Sequence, residues 1–183
     1  SQVNTLVITG YGTNSHQETA HAARLAGADR ADVVHFSDIV AAKVRLSEYQ
    51  FLVFPGGFLD GDDLGAAQAA AQRWLHLSDA EGQPLLDSLN RFVDAGGLVL
   101  GICNGFQALI KLGLVPEGKI VEQTEQSPTL TMNRIGRHIS KVAYTKVTSN
   151  LSPWFHEVNA GDIFSIPVSH GEGRFVANDD VIK

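Results

Sequence analysis

The amino-acid sequence predicts an α/β fold: a doubly wound, mostly parallel sheet flanked by helices, with an antiparallel extension in the last third. Three observations carry that expectation. Short β-branched runs alternate with alanine-rich helical stretches over the first two thirds of the chain. The fourth such run passes straight through Gly101-Ile102-Cys103-Asn104-Gly105 into an apolar-periodic helix. From Lys119 onward, alternating stretches replace the helical patterns. With 183 residues, 44% of them hydrophobic and 19% charged, the chain has enough apolar material for one core.

Val3 to Thr9 (VNTLVIT) reads as a buried strand. After Gly10-Tyr11-Gly12, Ser15 and Glu18 form an S-x-x-E capping box, which opens a helix to about Ala26 with Gly27 as its stop. Asp32 to Phe36 is a second strand and Phe51 to Phe54 a third. A long helix runs from about Asp63 to Leu77, and another from Pro84, a favourable first helical position, to Ala95. Gly96-Gly97 ends that helix, and Leu98 to Gly101 is a fourth strand. Strands alternating with helices at this spacing imply right-handed βαβ units with helices on both faces. Ile139 to Thr148 and Asp162 to Val168 are the alternating stretches of the last third. No internal repeat or interdomain linker interrupts the pattern, so residues 1–183 are expected to form a single domain.

Composition narrows the function. Lys and Arg number 14 against 20 Asp and Glu, a formal net charge of -6 with no basic stripe, so nucleic acid is not an expected partner. No run approaches the roughly 18 apolar residues that span a bilayer, and Ser1-Gln2-Val3-Asn4 lacks the features of a signal peptide. No membrane association and a cytoplasmic location are expected. The single cysteine, Cys103, excludes an intramolecular disulfide and a Cys-rich zinc site. The histidines His21, His35, His76, His138 and His156 are scattered without metal-ligand spacing, so no metal site is expected. Gly10-Tyr11-Gly12-Thr13-Asn14-Ser15 lacks the third glycine of a dinucleotide fingerprint, and no P-loop pattern occurs.

Three motifs carry chemistry. Leu98 through Gln107 places Cys103 between glycines at a strand-to-helix junction, the cysteine counterpart of a nucleophile elbow. The glycines permit a sharp turn that exposes the sulfur, and a helix N-terminus favours the nucleophilic thiolate over the thiol. A buried structural cysteine is the bland alternative, and the flanking glycines weigh against it. Phe54-Pro55-Gly56-Gly57-Phe58 ends the third strand, where backbone N–H groups can face a developing negative charge. The Gly57 and Asn104 N–H groups are the candidate oxyanion hole, against an ordinary strand-to-helix turn. Ser169-His170-Gly171-Glu172-Gly173-Arg174 is either a base with its orienting carboxylate or a tight turn bearing polar groups.

These residues resemble a known family. Gly12-Thr13-Asn14-Ser15-His16 with Glu18, Gly56-Gly57-Phe58 followed by Gly61-Asp62 and Leu64, and Gly101-Ile102-Cys103-Asn104-Gly105-Phe106-Gln107 all carry the likeness. So do Asn133 with Gly136-Arg137 and Ile166-Pro167-Val168-Ser169-His170-Gly171-Glu172-Gly173-Arg174. The family is that of the glutamine amidotransferase components of phosphoribosylformylglycinamidine synthase, which are triad-type, class I glutaminases of flavodoxin-like architecture. The resemblance implies that Cys103 attacks the carboxamide of glutamine, giving a γ-glutamyl thioester and ammonia. It also implies that Gly57 and Asn104 hold the oxyanion and that Gln107 and Asn133 help bind glutamine, with His170 and Glu172 as neighbours of the substrate pocket. Ammonia would pass to a synthetase subunit or domain that converts formylglycinamide ribonucleotide to its amidine in purine biosynthesis. ATP and Mg²⁺ would belong to that partner, and no cofactor is expected in this domain.

Two departures from the family pattern stand out. The catalytic His and Glu of such enzymes lie in a His-Pro-Glu motif downstream of His-Gly-Glu-Gly, and residues 1–183 contain none. The chain is therefore expected to be a single glutaminase domain short of its C-terminal end, with the triad partners downstream of Lys183. Ile135 and His138 stand where the family usually has Ser and Phe. Two rival readings are an elbow-cysteine redox or stress-response protein of similar fold, and an inactive module that only docks to a synthetase.

Overall fold

The computed structural model describes residues 2–10, 12–57 and 64–182. Tyr11 and the stretch 58–63, with the motif residues Phe58, Gly61 and Asp62 and the expected helix start at Asp63, lie outside the described residues. The chain divides into two compact units, Ser1–Leu130 with Phe175–Lys183, and Thr131–Arg174.

The first unit holds a four-stranded parallel sheet in the order β2-β1-β3-β4, made of β1 (Asn4–Thr9), β2 (Arg30–His35), β3 (Phe51–Phe54) and β4 (Leu98–Gly101). Its longer helices, with the short α2, are α1 (His16–Leu25), α2 (Phe36–Val40), α3 (Leu64–His76), α4 (Leu85–Asp94) and α5 (Asn104–Leu112). Strand alternation sorts the core. Leu6 and Ile8 of β1 and Leu52 and Phe54 of β3 face one side, where they pack with Trp74 of α3, Leu85, Leu89 and Phe92 of α4, and Leu109 and Leu112 of α5. Val7 and Val53 face the other side, against Ala20 and Ala23 of α1. Trp74 sits between the rings of Phe36 and Phe54, with centroids 5.3 and 5.7 Å away. No helix among the described residues is long and apolar enough to cross a membrane.

Several local details differ from the sequence expectations. β2 begins at Arg30 instead of Asp32. Phe36 opens α2 instead of ending the strand, because the His35 side chain caps that helix by accepting from the Ser37 N–H at 3.1 Å. Pro84 is the cap of α4 and not its first residue. Ser15 occupies the cap position of α1 without a side-chain capping bond, and its hydroxyl donates elsewhere. After the short strand β5 (Thr129–Thr131), the expected antiparallel pairing of the last third is present in β6 (Ile139–Lys146) with β7 (Ile163–His170), registered from Ile139 opposite His170 to Lys146 opposite Ile163. That pair forms its own two-stranded sheet and does not widen the parallel one. Period-two alternation specifies a strand and its face, but not which sheet the strand joins.

Candidate active site

The strand order puts the carboxyl ends of β1, β3 and β4 side by side, and the chain reverses direction across the sheet between β1 and β3. A crevice at such a reversal is where open α/β sheets place their chemistry. Phe54 of β3 pairs with Gly101 of β4, and the Ile102 N–H donates to the Phe54 carbonyl at 3.0 Å. Both chains leave the sheet at that level, so the Gly56-Gly57 turn and Cys103 emerge as neighbours. A Cβ added at Gly56 would lie 3.2 Å from the Cys103 Cβ and 3.5 Å from the Ile102 carbonyl oxygen.

Cys103 has φ 55° and ψ -114°, one of two non-glycine residues in the described chain with positive φ. Such a conformation costs on the order of 1–3 kcal/mol and persists only where the surroundings impose it. Here they do. The turn is locked by Gly105 N–H to Ile102 carbonyl at 2.9 Å and Gln107 N–H to Cys103 carbonyl at 3.1 Å. Gly105 brings the first turn of α5 against β3 so closely that any side chain there would overlap the Phe54 carbonyl. The result is an exposed sulfur at the N-terminus of α5. Asn104 is the first residue of that helix, where backbone N–H groups have no intrahelical acceptor and are available to an anion. Its side-chain Nδ2 donates to Gln107 Oε1 at 3.3 Å, tying together two of the sequence-predicted site residues.

From the other side, the Gly12–Asn14 loop after β1 closes on Gly57. Thr13 and Gly57 form an isolated antiparallel bridge, and a Cβ at Gly57 would come within 2.6 Å of the Gly12 carbonyl oxygen and 2.7 Å of the Thr13 Cα. The structure thus brings Gly57, Cys103, Asn104 and Gln107 to one edge of one sheet. Beside them a small cavity of about 70 Å³ lies between Thr13, Pro55 and Asn104, with Phe54 and Trp74 among its apolar walls. A larger cleft of about 850 Å³ opens at the opposite edge, lined by Tyr49, Gln50, Gly96 and Gly97 at the amino ends of β3 and β4. Parallel sheets place their chemistry at the carboxyl edge, where Cys103 stands, so size alone does not make the larger cleft the site.

In the second unit, Asn133 and His170 form a separate cluster. Asn133 is buried, and its Nδ2 donates to the carbonyls of Arg137 at 3.0 Å and His170 at 2.8 Å. Its Oδ1 lies 2.9 Å from His170 Nδ1, and its backbone N–H donates to the Gly171 carbonyl at 2.9 Å. Glu172 sits half-buried in the turn between β7 and β8 (Arg174–Val176). The residue that sequence reasoning missed is Ser15, whose Oγ donates to the Gly56 carbonyl at 3.0 Å. Its S-x-x-E context points to a helix cap, and no local signal identifies a partner 41 residues away.

The profile of the CobB/CobQ-like glutamine amidotransferase domain matches residues 2–183. Among curated proteins, the phosphoribosylformylglycinamidine synthase subunit PurQ of Dehalococcoides mccartyi is 39% identical over 183 residues, covering 100% of this chain and 67% of its own length. The subunit of the same name from Methanococcus maripaludis is 36% identical over 174 residues, covering 95% of this chain and 60% of its own length. The chain thus spans 60% to 67% of the length of these two curated relatives. Among solved structures, PurLQS from Thermotoga maritima superposes with a TM-score of 0.74 at 27% identity, over 98% of this chain and 72% of that one. A glutamine amidotransferase from Thermotoga maritima, at 18% identity and a TM-score of 0.52 over 97% of this chain and 64% of that one, shares the fold.

Proposed function

The chain belongs to the CobB/CobQ-like glutamine amidotransferase family, and from that premise we propose that it hydrolyses glutamine at Cys103 and supplies ammonia to a synthetase partner. The observation that carries this reading is the strained Cys103 at the β4–α5 junction, packed against the Gly56-Gly57 turn. The thiolate adds to the carboxamide carbon of glutamine, forming a C–S bond and pushing the carbonyl electron pair onto oxygen. The N–H groups of Gly57 and Asn104 receive that charge, a contribution worth about 10²- to 10³-fold in kcat per donor. Collapse of the adduct breaks the C–N bond, and the departing nitrogen takes a proton to leave as ammonia. Water then hydrolyses the γ-glutamyl thioester to glutamate and regenerates the thiol. The family resemblance assigns both proton transfers to a His-Pro-Glu motif, which residues 1–183 do not contain, so the groups of this chain account for the chemistry as far as the tetrahedral adduct.

The names of the relatives support one acceptor, the synthetase that makes phosphoribosylformylglycinamidine. They also favour the glutaminase reading over a redox protein or an inactive docking module. That the partner handles ATP and Mg²⁺ rests on the family resemblance alone. Gln107 serves the glutamine-binding side of the pocket from the first turns of α5. In the second unit, Asn133 shapes the loop to Arg137 and the end of β7, and the family resemblance alone gives Asn133 and His170 a part in glutamine binding. The test is glutamate release by the natural full-length chain, with and without its synthetase. Activity should disappear in Cys103→Ser, since an alkoxide precursor is a far weaker nucleophile in a site tuned for a thiolate. Undiminished glutamate release by that variant would overturn the assignment.

A further inference from the structure

We propose that Ser15 is a positioning residue for the oxyanion hole: its hydroxyl, bonded to the Gly56 carbonyl, fixes the orientation of the Gly56–Gly57 peptide and hence the direction of the Gly57 N–H. The proposal rests on the glutaminase reading above.

Ser15 stands at the cap position of α1, where a serine ordinarily turns its oxygen back to accept from the second or third helical N–H, a bond worth about 1 kcal/mol. It makes no such bond here. Its Oγ instead donates outward to the Gly56 carbonyl at 3.0 Å, in a partly buried setting. The helix gives up a capping interaction, and the hydroxyl is held in place from below: the Ser15 carbonyl accepts both the Thr19 N–H at 3.0 Å and the Thr19 hydroxyl at 2.7 Å.

The bond matters because of what a peptide plane does. Gly56 C=O and Gly57 N–H belong to the same unit, and in a planar trans peptide they point in opposite directions. Whatever grips the carbonyl therefore aims the N–H. Between two glycines that grip is needed, because neither residue has a Cβ to disfavour the flipped plane. Ser15 Oγ and the Cys103 Cβ approach the same point of Gly56, at 3.4 and 3.2 Å from where its Cβ would be. The hydroxyl, the peptide and the nucleophile are thus in one packed group, with the Thr13–Gly57 bridge holding the far side of the turn.

The experiment compares the natural full-length chain with Ser15→Ala and Ser15→Thr. Glutamine kinetics are read together with two alkylations of Cys103. Iodoacetamide reacts by direct displacement at its methylene and develops no oxyanion, whereas a glutamine-mimicking chloromethyl ketone passes through a tetrahedral oxyanion. Ser15→Ala should lower kcat by about 10-fold or more with KM changed less than about 3-fold. It should slow the chloromethyl ketone to a similar degree and leave the iodoacetamide rate unchanged, while Ser15→Thr, which keeps the hydroxyl, should recover most of the loss. An unchanged kcat, a defect confined to KM, or equal slowing of both alkylations would overturn the proposal while leaving the glutaminase reading intact. A wild-type chain inert to glutamine overturns that reading and the proposal with it.

Discussion

Asn133 holds His170 at two points, its Nδ2 donating to the His170 carbonyl at 2.8 Å while its Oδ1 faces the ring Nδ1 at 2.9 Å. The amide orientation is fixed by chemistry: two carbonyl acceptors, those of Arg137 and His170, need the NH₂ group, so the oxygen must face the ring. An amide oxygen only accepts. Nδ1 of His170 therefore carries the proton, and the neutral ring is the Nδ1–H tautomer with its lone pair on Nε2.

Long-range ¹⁵N–¹H spectra of the imidazole should show that tautomer in the wild-type chain and a mixture in Asn133→Ala. The same substitution removes two partly buried hydrogen bonds to carbonyls, each worth about 0.5–1.5 kcal/mol, and chemical denaturation should show a loss of that order. A variant as stable as wild type would mean that water replaces the amide.

Gly57→Ala should damage turnover more than binding. Its Cβ would meet the Gly12 carbonyl and the Thr13 Cα, so the turn must shift, displacing an oxyanion donor. Steady-state kinetics should show kcat lower by about 10²-fold with KM little changed. A change in KM alone would mean that Gly57 lines the pocket without touching the oxyanion.

Gly105→Ala should act on the fold instead. The added methyl overlaps the Phe54 carbonyl, so α5 must lift from β3 and carry Cys103 with it. Overpacking of this kind typically costs 1–3 kcal/mol, and backbone against backbone leaves little room to relax. Thermal unfolding should show a lower Tm, along with an altered iodoacetamide rate at Cys103. A variant with wild-type Tm would show that the helix start tolerates displacement.

Tyr49 provides a pH test away from the site. Its ring is buried, its hydroxyl donates to Asp32 Oδ2 at 2.7 Å, and Arg30 lies over it, 5.1 Å from its centroid, while also pairing with Asp32 at 2.9 Å. Burial first, then the Asp32 hydrogen bond and charge, push the phenol from 10.0 up to about 12. A group whose folded value is raised stabilises fully below its unfolded value and loses that contribution as pH climbs through the folded one. Stability should therefore fall between about pH 10 and 12 in the wild type, and Tyr49→Phe should flatten that slope. An identical slope in both chains would assign the alkaline loss to other groups.

How much of this was legible in the sequence follows the range of each interaction. The parallel strands were legible because apolar β-branched runs such as Leu52-Val53 bear their signal locally. Cys103 was legible because glycines at 101 and 105 flank it at a strand-to-helix junction, and the glycine spacing itself states the turn. Helix α2 was not, since Val33-Val34-His35-Phe36 reads as one continuous extended run and only the His35 cap ends it. Ser15 was misread for the opposite reason: its local pattern is complete as a capping box, and a partner 41 residues away outcompetes it. Asn133 and His170 both stand in motifs visible in the sequence, but the 37 residues between them hide that one clamps the other.

The central claim is that Cys103 is the nucleophile of a glutamine-recognising site, and covalent trapping tests it most directly. The natural full-length chain is treated with the glutamine-mimicking chloromethyl ketone, with and without excess glutamine, then digested and mapped by mass spectrometry. A single modified peptide, the one containing Cys103, with labelling suppressed by glutamine, is the predicted result. Label on other residues, or labelling of Cys103 that glutamine does not slow, would contradict it.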